Sequence, residues 1–173
     1  MSETIREIYS EKEITDKIKE LGRQISRDYD GEEIYVICIL KGAVYFATEL
    51  TKRITVPVTL DFMAASSYGA NTESSGEVKI VKDLDESLEG KNAIVVEDII
   101  DTGRTLKRLM EILKERGPKS LRLCTLLDKP DRRVVDVHVD YTGFTVEDRF
   151  IVGYGLDYAQ KYRNLPYIGE LNF

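Results

Sequence analysis

Residues 94–106, with the sequence IVVEDIIDTGRTL, concentrate acidic, hydroxyl and basic side chains within one short stretch. Glu97 and Asp98 supply carboxylate oxygens, which accept hydrogen bonds from sugar hydroxyls and are the kind of ligand that Mg²⁺ prefers. The polar turn behind them combines close backbone approach, hydroxyl donors and positive charge, and it comprises Asp101, Thr102, Gly103, Arg104 and Thr105. Such a turn suits a phosphate. The stretch therefore predicts a site for a ligand that carries phosphate together with sugar hydroxyls or Mg²⁺.

The residues around this turn predict the elements that position it. Residues 94–96 form a β-branched apolar run, as in a strand buried on both faces of a parallel sheet, and Glu97 and Asp98 end that strand. After the turn, apolar residues recur at helical spacing at Leu106, Leu109, Met110 and Leu113. In open α/β sheets, ligands bind beyond the carboxyl ends of the strands, where a helix N-terminus attracts anions. The predicted order of strand, acidic turn and helix is that of an anion-binding loop.

Two other interpretations of Asp101 come from its immediate neighbours. The tripeptide Asp101-Thr102-Gly103 also occurs in aspartic proteases, but those enzymes need a pair of such aspartates and this chain contains one copy. Asp101 can also be a plain helix N-cap, which is a common role for aspartate. That structural interpretation leaves Glu97 and Asp98 unexplained, so the phosphate-binding turn is preferred.

The first half of the chain predicts an α/β fold, with a central, mainly parallel sheet flanked by helices. A capping-box signature begins an amphipathic helix over residues 10–28. Residues 34–40 predict a buried strand that ends at Lys41-Gly42, before a helix over residues 43–53. Alternating strands and helices are the pattern of such folds.

The remaining segments predict a hairpin and further strands. A strand over residues 58–65 and a return strand over residues 78–81 are expected to pair as a hairpin. The loop between them, residues 66–76, has no periodicity and consists mainly of small polar residues, so we expect a flexible lid. Further strands are predicted over residues 121–127 and 135–139, and residues 150–152 form a short apolar segment.

The motif VVEDIIDTGRTL at residues 95–106 resembles the phosphoribosyl pyrophosphate (PRPP) motif of type I phosphoribosyltransferases, in the version found in hypoxanthine-guanine phosphoribosyltransferases. The resemblance implies the type I phosphoribosyltransferase fold, as one domain over residues 1–173 with a small hood built from the N-terminal and C-terminal segments. It also implies that Asp101 is the general base. The residues that it assigns to PRPP and phosphate binding are Glu97, Asp98, Asp101, Thr102, Gly103, Arg104 and Thr105.

Two further motifs of that family precede the PRPP motif. Leu40-Lys41-Gly42 is similar to the family's pyrophosphate-binding loop, in which the peptide before the lysine can be cis. Ser67-Tyr68 matches the Ser-Tyr pair of the family lid, which closes over the reacting centre. A single lysine is ordinarily a solvated surface residue, so the assignment of Lys41 depends on its place at the end of a strand and on the resemblance. The loop can be a plain surface loop, but its length favours a functional lid.

The other family motifs lie near the end of the chain. Lys129 resembles the family lysine that meets the exocyclic O6 of a purine, and FIVGYGLDYAQKYRNLP, from residue 150, is similar to the base-binding hood and C-terminal signature. By that similarity, Phe150 stacks on the purine and Ile151 offers backbone groups to its edge. Asp157 is implied to hold Mg²⁺ through water, and Arg163 to reach the pyrophosphate. Without the resemblance, Phe150 is interpreted as a core aromatic residue, and Asp157 and Arg163 as surface charges.

Length and composition predict a soluble, cytoplasmic, globular chain. The 173 residues are 42% hydrophobic and 32% charged, and the N-terminus is mixed and charged, without a visible secretory signal. No apolar run approaches the ~20 residues needed to span a bilayer. Cys38 and Cys124 lie in apolar runs and are interpreted as packing residues, and His138 as an outward-facing residue. The net charge of −6 and the pI near 5.0 argue against general nucleic-acid binding.

The resemblance implies a reaction in purine salvage. It is the transfer of 5-phosphoribosyl from PRPP to N9 of hypoxanthine or guanine, which yields IMP or GMP and pyrophosphate. Mg²⁺ is the implied cofactor, held by Glu97, Asp98 and Asp157, and the implied assembly is a homo-oligomer, either a dimer or a tetramer. Two alternatives stay open, namely that xanthine is the preferred base, and that the protein is a regulator of this fold that senses nucleotide and binds RNA.

Overall fold

Nine strands and three α-helices make up the part of the chain that the computed structural model describes, residues 3–67 and 77–173. The strands are β1 (Thr4–Tyr9), β2 (Ile34–Ile39), β3 (Val58–Ser67), β4 (Val78–Lys82), β5 (Asn92–Ile100), β6 (Ser120–Asp128), β7 (Tyr141–Thr145), β8 (Ile151–Val152) and β9 (Ile168–Asn172). The helices are α1 (Glu11–Asp28), α2 (Val44–Thr51) and α3 (Arg104–Glu115), with one turn of 3-10 helix at Pro130–Arg132.

Six strands form the central sheet in the order β4-β3-β2-β5-β6-β7. Within this order, each neighbouring pair in the run β3-β2-β5-β6-β7 is parallel, whereas β3 and β4 pair antiparallel. The predicted mainly parallel sheet is therefore confirmed. β3 lies on one side of β2 and β5 on the other, so the direction of winding reverses between β2 and β5. Ligands of open α/β sheets bind beyond the strand ends at such a reversal, and the loops after these two strands carry the predicted phosphate and pyrophosphate motifs.

Helices cover both faces of this sheet, as predicted. Because alternate residues of a strand face opposite sides, Val36 and Cys38 of β2 pack into a core with α1 and α2. Ile37, between them, packs into a second core with α3. Cys38 and Cys124 are both buried free thiols, and burial raises the pKa of Cys38 to about 12. A thiol held neutral in this way is a packing residue, in agreement with the sequence.

Local signals in the sequence are confirmed at the first helix and at the hairpin. The Ser10 hydroxyl accepts a hydrogen bond from the Glu13 N–H at 3.1 Å, and the Glu13 carboxylate accepts one from the Ser10 N–H at 2.8 Å. This reciprocal pair is the predicted capping box at the start of α1. β3 and β4 form the predicted hairpin, with Ser67 opposite Val78. The strand is longer than predicted, because Ser66 and Ser67 belong to it.

The prediction that Glu97 and Asp98 end their strand is wrong. β5 continues to Ile100, because its pairing with β6 extends as far as Ile100 opposite Asp128. Both carboxylates therefore belong to a strand that is paired with a neighbour, and the turn that follows begins at Asp101. A paired strand holds their backbone more firmly than a loop would.

The prediction of a strand over residues 135–139 is also wrong, since no strand is assigned there and β7 begins at Tyr141. The alternation of apolar residues has another cause, because Val137 and Val139 pack against the core around α3. His138, between them, has a side chain that is 85% exposed and lies 3.2 Å from Asp140, as expected of an outward-facing residue.

A separate three-stranded antiparallel sheet, in the order β1-β9-β8, brings residues from both ends of the chain together. Ile5 of β1 pairs with Leu171, and Ile151 of β8 pairs with Glu170. β1 and β9 are not predicted from the sequence, since their pairing connects residues far apart in the chain. No helix among the described residues is long and apolar enough to cross a membrane.

Candidate active site

The turn after β5 forms a cradle at the carboxyl edge of the sheet. Asp101, Thr102, Gly103, Arg104 and Thr105 line a cavity of about 250 Å³ together with Glu97 and Ile39. α3 begins directly after Gly103, which adopts φ 84°, and a Cβ on this glycine would lie 2.9 Å from Val137. A helix N-terminus directs N–H groups and the positive end of its dipole at such a cavity. The N-terminus of α3 therefore faces this cavity, and phosphate binding there remains a prediction.

Asp101 does not cap the helix. The N-cap residue is Gly103, and within the described part of the chain no side chain caps it. The Asp101 carboxylate instead accepts a hydrogen bond from Arg132 Nε at 3.0 Å, and the Asp101 carbonyl accepts one from Arg133 at 3.1 Å. The interpretation of Asp101 as a plain N-cap is therefore wrong. Its side chain is 49% exposed and can meet a ligand.

Glu97 and Asp98 form an adjacent carboxylate pair at the end of β5. Burial and the neighbouring Asp98 raise the pKa of Glu97 well above its ordinary value, and burial also raises the pKa of Asp98. Asp98 accepts a hydrogen bond from the Ile99 N–H at 2.9 Å, and a Cβ on Gly42 would overlap its carboxylate. Two carboxylates in this position are stabilised by a cation or by hydroxyl donors.

The predicted pyrophosphate loop lies against this pair, after β2. The peptide between Leu40 and Lys41 is cis. Lys41 is exposed, and its ammonium donates a hydrogen bond to the Gln160 side chain at 3.3 Å. The same oxygen of Gln160 accepts a hydrogen bond from Arg163 at 3.2 Å. Two cations predicted to bind pyrophosphate thus converge on one oxygen, as an anion site requires.

Asp157 belongs to the same group. One of its oxygens lies 3.1 Å from the Arg163 guanidinium, and the other accepts a hydrogen bond from the Gln160 N–H at 2.8 Å. Arg163 also donates to the Gly155 carbonyl at 2.7 Å. Among the described residues, no group of three or more His, Cys, Asp or Glu side chains could hold a metal ion. Asp157 is thus engaged with Arg163 and does not complete a three-ligand site with Glu97 and Asp98.

The backbone around Asp157 is unusually strained. Four non-glycine residues adopt positive φ there, with 48° at Tyr154, 49° at Ala159, 66° at Gln160 and 75° at Tyr162. Such conformations persist where the surrounding contacts hold them, and they are frequent at ligand sites. The strain falls in the segment that carries Asp157 and leads to Arg163.

Lys129 connects the phosphate cradle to the predicted purine site. It is 8% exposed, its N–H donates to the Ile100 carbonyl at 3.0 Å, and its ammonium donates to the Arg149 carbonyl at 2.6 Å. Lys129 therefore lies between the residue before Asp101 and the residue before Phe150. These contacts place Lys129 beside the backbone that precedes both the predicted general base and the predicted stacking residue.

The interpretation of Phe150 as a core aromatic residue is wrong, because the side chain is 46% exposed. Its neighbour Ile151 is buried and packs into the core, so Ile151 can offer a ligand only its backbone. Ser67 is exposed at the end of β3. Tyr68 and the rest of the predicted lid lie outside the described residues, so the lid remains a prediction.

Three residues that contact the predicted site residues were not singled out from the sequence. Arg132 pairs with Asp101, Arg133 pairs with both Asp128 and the Asp101 carbonyl, and Gln160 joins Lys41 to Arg163. A signal for the two arginines is their place in the turn that follows Lys129, two and three residues after Pro130. Gln160 carries no comparable signal, because its role depends on a backbone conformation that the sequence does not reveal.

Comparisons with known proteins agree with this geometry. Residues 4–159 match the phosphoribosyl transferase domain. The hypoxanthine phosphoribosyltransferase of Salmonella typhimurium is 50% identical over 99% of this chain and 97% of its own. The bifunctional protein TilS/HprT of Listeria monocytogenes is 54% identical over 95% of this chain, which spans a quarter (25%) of that protein's length. The structure of a hypoxanthine phosphoribosyltransferase from Staphylococcus aureus aligns with a TM-score of 0.94 at 48% identity, covering 96% of this chain and 91% of the other.

The parallel sheet, the phosphate cradle and the domain match together define a class of protein, and the chain belongs to the phosphoribosyltransferase family. Its fold is the type I phosphoribosyltransferase fold, as the sequence motifs imply. Within that family, the chain is similar over nearly its whole length to proteins named hypoxanthine phosphoribosyltransferases.

Proposed function

We propose that this protein is a hypoxanthine-guanine phosphoribosyltransferase of purine salvage. It transfers 5-phosphoribosyl from PRPP to N9 of hypoxanthine or guanine, and it releases pyrophosphate with IMP or GMP. The observation that carries the base specificity is the place of Lys129, whose ammonium donates to the carbonyl directly before the exposed ring of Phe150. An ammonium has donors and no acceptor, so it suits O6 of a 6-oxopurine and not the amino group of adenine.

The other site residues have separate tasks in this proposal. The turn over residues 101–105 holds the 5′-phosphate at the N-terminus of α3, and this remote binding orients C1 of the sugar. Lys41 and Arg163 bind the pyrophosphate that leaves. Asp101 accepts the proton from N7 of the base, since its carboxylate is exposed beside the cradle. The Ser67-Tyr68 lid excludes water from the oxocarbenium-like sugar.

Glu97 and Asp98 fit a Mg²⁺ ion or the ribose hydroxyls. Mg²⁺ usually binds through one or two carboxylates together with substrate phosphates and water, so it does not need a dedicated site of three protein ligands. Burial and the charge of Asp98 raise the pKa of Glu97, and a cation bound beside the pair would offset both effects. The chemistry that bound Mg²⁺ supplies is neutralisation of the charge on the departing pyrophosphate. Asp157 orients Arg163 and would hold the ion through water.

A spectrophotometric assay with PRPP, Mg²⁺ and each of four purine bases tests this proposal. We expect turnover with hypoxanthine and guanine, little with adenine, and loss of turnover when EDTA removes the metal. A preference for xanthine would correct the substrate, and turnover of adenine at the rate of guanine would contradict the role of Lys129. If none of the four bases accepted the phosphoribosyl group, the proposed function would be overturned. We also propose that the enzyme is cytoplasmic and assembles as a dimer or a tetramer. Light scattering of the purified protein measures the molar mass and so tests the assembly.

A further inference from the structure

Three aromatic rings cluster beside strands β8 and β9, and we call Phe150, Tyr158 and Phe173 the aromatic cluster. They meet pairwise in edge-to-face contacts. The ring centroids are 5.5 Å apart for Phe150 and Tyr158, 5.8 Å for Phe150 and Phe173, and 5.2 Å for Tyr158 and Phe173. These separations and orientations are favourable for aromatic pairs. Each ring is thus held by the other two.

The pairing of β8 with β9 brings Phe173 to Phe150. Ile151 lies opposite Glu170, and the Leu171 N–H donates to the Phe150 carbonyl at 2.8 Å. Phe173 follows two residues after Leu171, so this ladder delivers its ring to the side of Phe150. The contact depends on the tertiary structure, because the two phenylalanines are far apart in the sequence.

Phe150 and Phe173 are nonetheless among the most exposed large apolar residues of the described chain, at 46% and 62%. Burial of apolar surface contributes about 25 cal/mol per Å², so a ligand that covered these two exposed rings would gain favourable free energy of binding. Exposed apolar patches on a soluble protein commonly mark a binding surface. Lys129 donates to the carbonyl directly before Phe150, so a polar anchor and this apolar surface are adjacent.

We propose that Phe173 is a further base-binding residue, one that orients the Phe150 ring and extends the apolar wall against which the purine packs. This inference rests on the proposed function. Lys129 recognises the polar edge of the base, which carries O6. Phe150 and Phe173 cover the apolar surface of the purine ring. Tyr158 supports both rings from the segment that leads to Arg163.

The test compares Phe173→Leu with a matched control, Tyr45→Leu. Tyr45 is also exposed, at 42%, and its ring lies 6.3 Å from that of Tyr154, outside the aromatic cluster. Tyr45→Leu removes an exposed ring from one aromatic pair, whereas Phe173→Leu removes an exposed ring from two, and both substitutions keep an apolar side chain. KM for hypoxanthine, KM for PRPP, kcat and Tm are measured for each variant, and GMP binding is measured by calorimetry.

We expect Phe173→Leu to raise KM for hypoxanthine and Kd for GMP by about two- to ten-fold, the range of an aromatic pair. KM for PRPP and Tm should stay unchanged, Phe173→Tyr should retain the wild-type KM, and Tyr45→Leu should leave all values unchanged. An unchanged KM for hypoxanthine in Phe173→Leu would overturn the inference. So would a parallel loss of Tm and of the binding of both substrates. In either case the proposed function would stand as long as the wild-type protein is active. An inactive wild type would overturn both.

Discussion

Asp101 is held by Arg132 at 3.0 Å yet remains half exposed, which is the arrangement expected of a carboxylate that is oriented for a ligand. Asp101→Asn keeps the shape of the turn but cannot accept a proton. We therefore expect kcat to fall by about 10²–10⁴-fold, with KM for PRPP nearly unchanged. Steady-state kinetics measure this, with Asp131→Asn as the control because Asp131 is an exposed neighbour in the 3-10 turn. A near-normal kcat in Asp101→Asn would show that Asp101 is not the general base.

Lys129 is nearly buried, so its replacement tests base recognition directly. Glutamine can present either a donor or an acceptor to the base. Lys129→Gln should lower kcat/KM for guanine and hypoxanthine by about ten-fold or more and narrow the difference from adenine, because a mismatched buried polar contact costs ~1–3 kcal/mol. The measurement is kcat/KM for each base. Unchanged ratios would show that Lys129 supports the Arg149 carbonyl and does not read the base.

Glu97 carries a pKa raised by burial and by Asp98, and this has a consequence for stability. A carboxyl whose pKa is raised on folding holds its proton more tightly when folded, so the folded state loses stability as pH rises through that range. Glu97→Gln removes the cost of ionisation. We expect it to raise Tm of the ligand-free protein at neutral pH by about 2–4 °C, the equivalent of roughly 1 kcal/mol, while activity falls.

Tm measured between about pH 5 and pH 8 is the check, because wild type should lose stability with rising pH relative to Glu97→Gln. Glu111→Gln, at an exposed residue of α3 paired with Arg108, is the matched control and should follow wild type. If wild type and Glu97→Gln showed the same pH dependence, the carboxylate pair would not be a destabilising feature of the free protein.

At the scale of elements, the β3–β4 hairpin depends on Asp61, which is 3% exposed. Burial alone would raise the pKa of Asp61, but Tyr35 and the N–H groups of Asp85 and Phe62, both at 2.7 Å, lower it. Lys82 of β4 lies 3.8 Å away. Asp61 therefore joins β2, β3 and the segment after β4, and it supports the hairpin that leads into residues 68–76.

Asp61→Ala should lower the free energy of unfolding by about 2–3 kcal/mol, because buried donors lose their acceptor. Since the folded pKa is depressed, the contribution of Asp61 is present above the ordinary aspartate pKa and is lost as pH falls through the folded pKa. Urea unfolding at neutral and acidic pH measures both effects. Asp16→Ala removes a carboxylate from an exposed pair with Lys12 and should leave stability unchanged. A similar result for Asp61→Ala would show that the network contributes little.

At the scale of the whole molecule, the site is assembled from segments that are distant in the chain. Gly155 adopts φ 100°, and a Cβ there would overlap the Gly42 carbonyl. Gly42 in turn lies so close to Asp98 that its own Cβ would overlap that carboxylate. The C-terminal segment therefore packs against the pyrophosphate loop, and that loop packs against the end of β5. Each of these contacts fixes the position of the neighbouring segment.

Gly155→Ala should lower the free energy of unfolding by about 2–4 kcal/mol and raise KM for PRPP, because a positive φ and a steric overlap act together. Gly90→Ala is the matched control, since Gly90 also has positive φ, at 72°, but nothing lies within 4 Å of its Cβ. The control should lose only about 1–2 kcal/mol, with KM for PRPP unchanged. Equal effects of the two substitutions would mean that the close approach to Gly42 does not position the site.

The sequence alone determined the features that depend on neighbouring residues. The capping box of α1, the hairpin of β3 and β4, the buried runs of β2 and β5 and the polar turn over residues 101–105 all follow from short-range patterns, and all are present. The family motifs added the assignments of Lys129, which is buried, and of Phe150. Taken alone, Phe150 is predicted to be a core ring, and that prediction is wrong because Phe150 is exposed.

Only the tertiary structure decided which distant residues meet. The sequence predicted a strand over residues 135–139 and missed β1 and β9, because strand pairing depends on partners that lie elsewhere in the chain. The same holds for the pairing of Arg132 with Asp101, the convergence of Lys41 and Arg163 on Gln160, and the contact of Phe173 with Phe150. Residue types set what each side chain can do chemically, whereas the close approach of separate backbone segments set where that chemistry takes place.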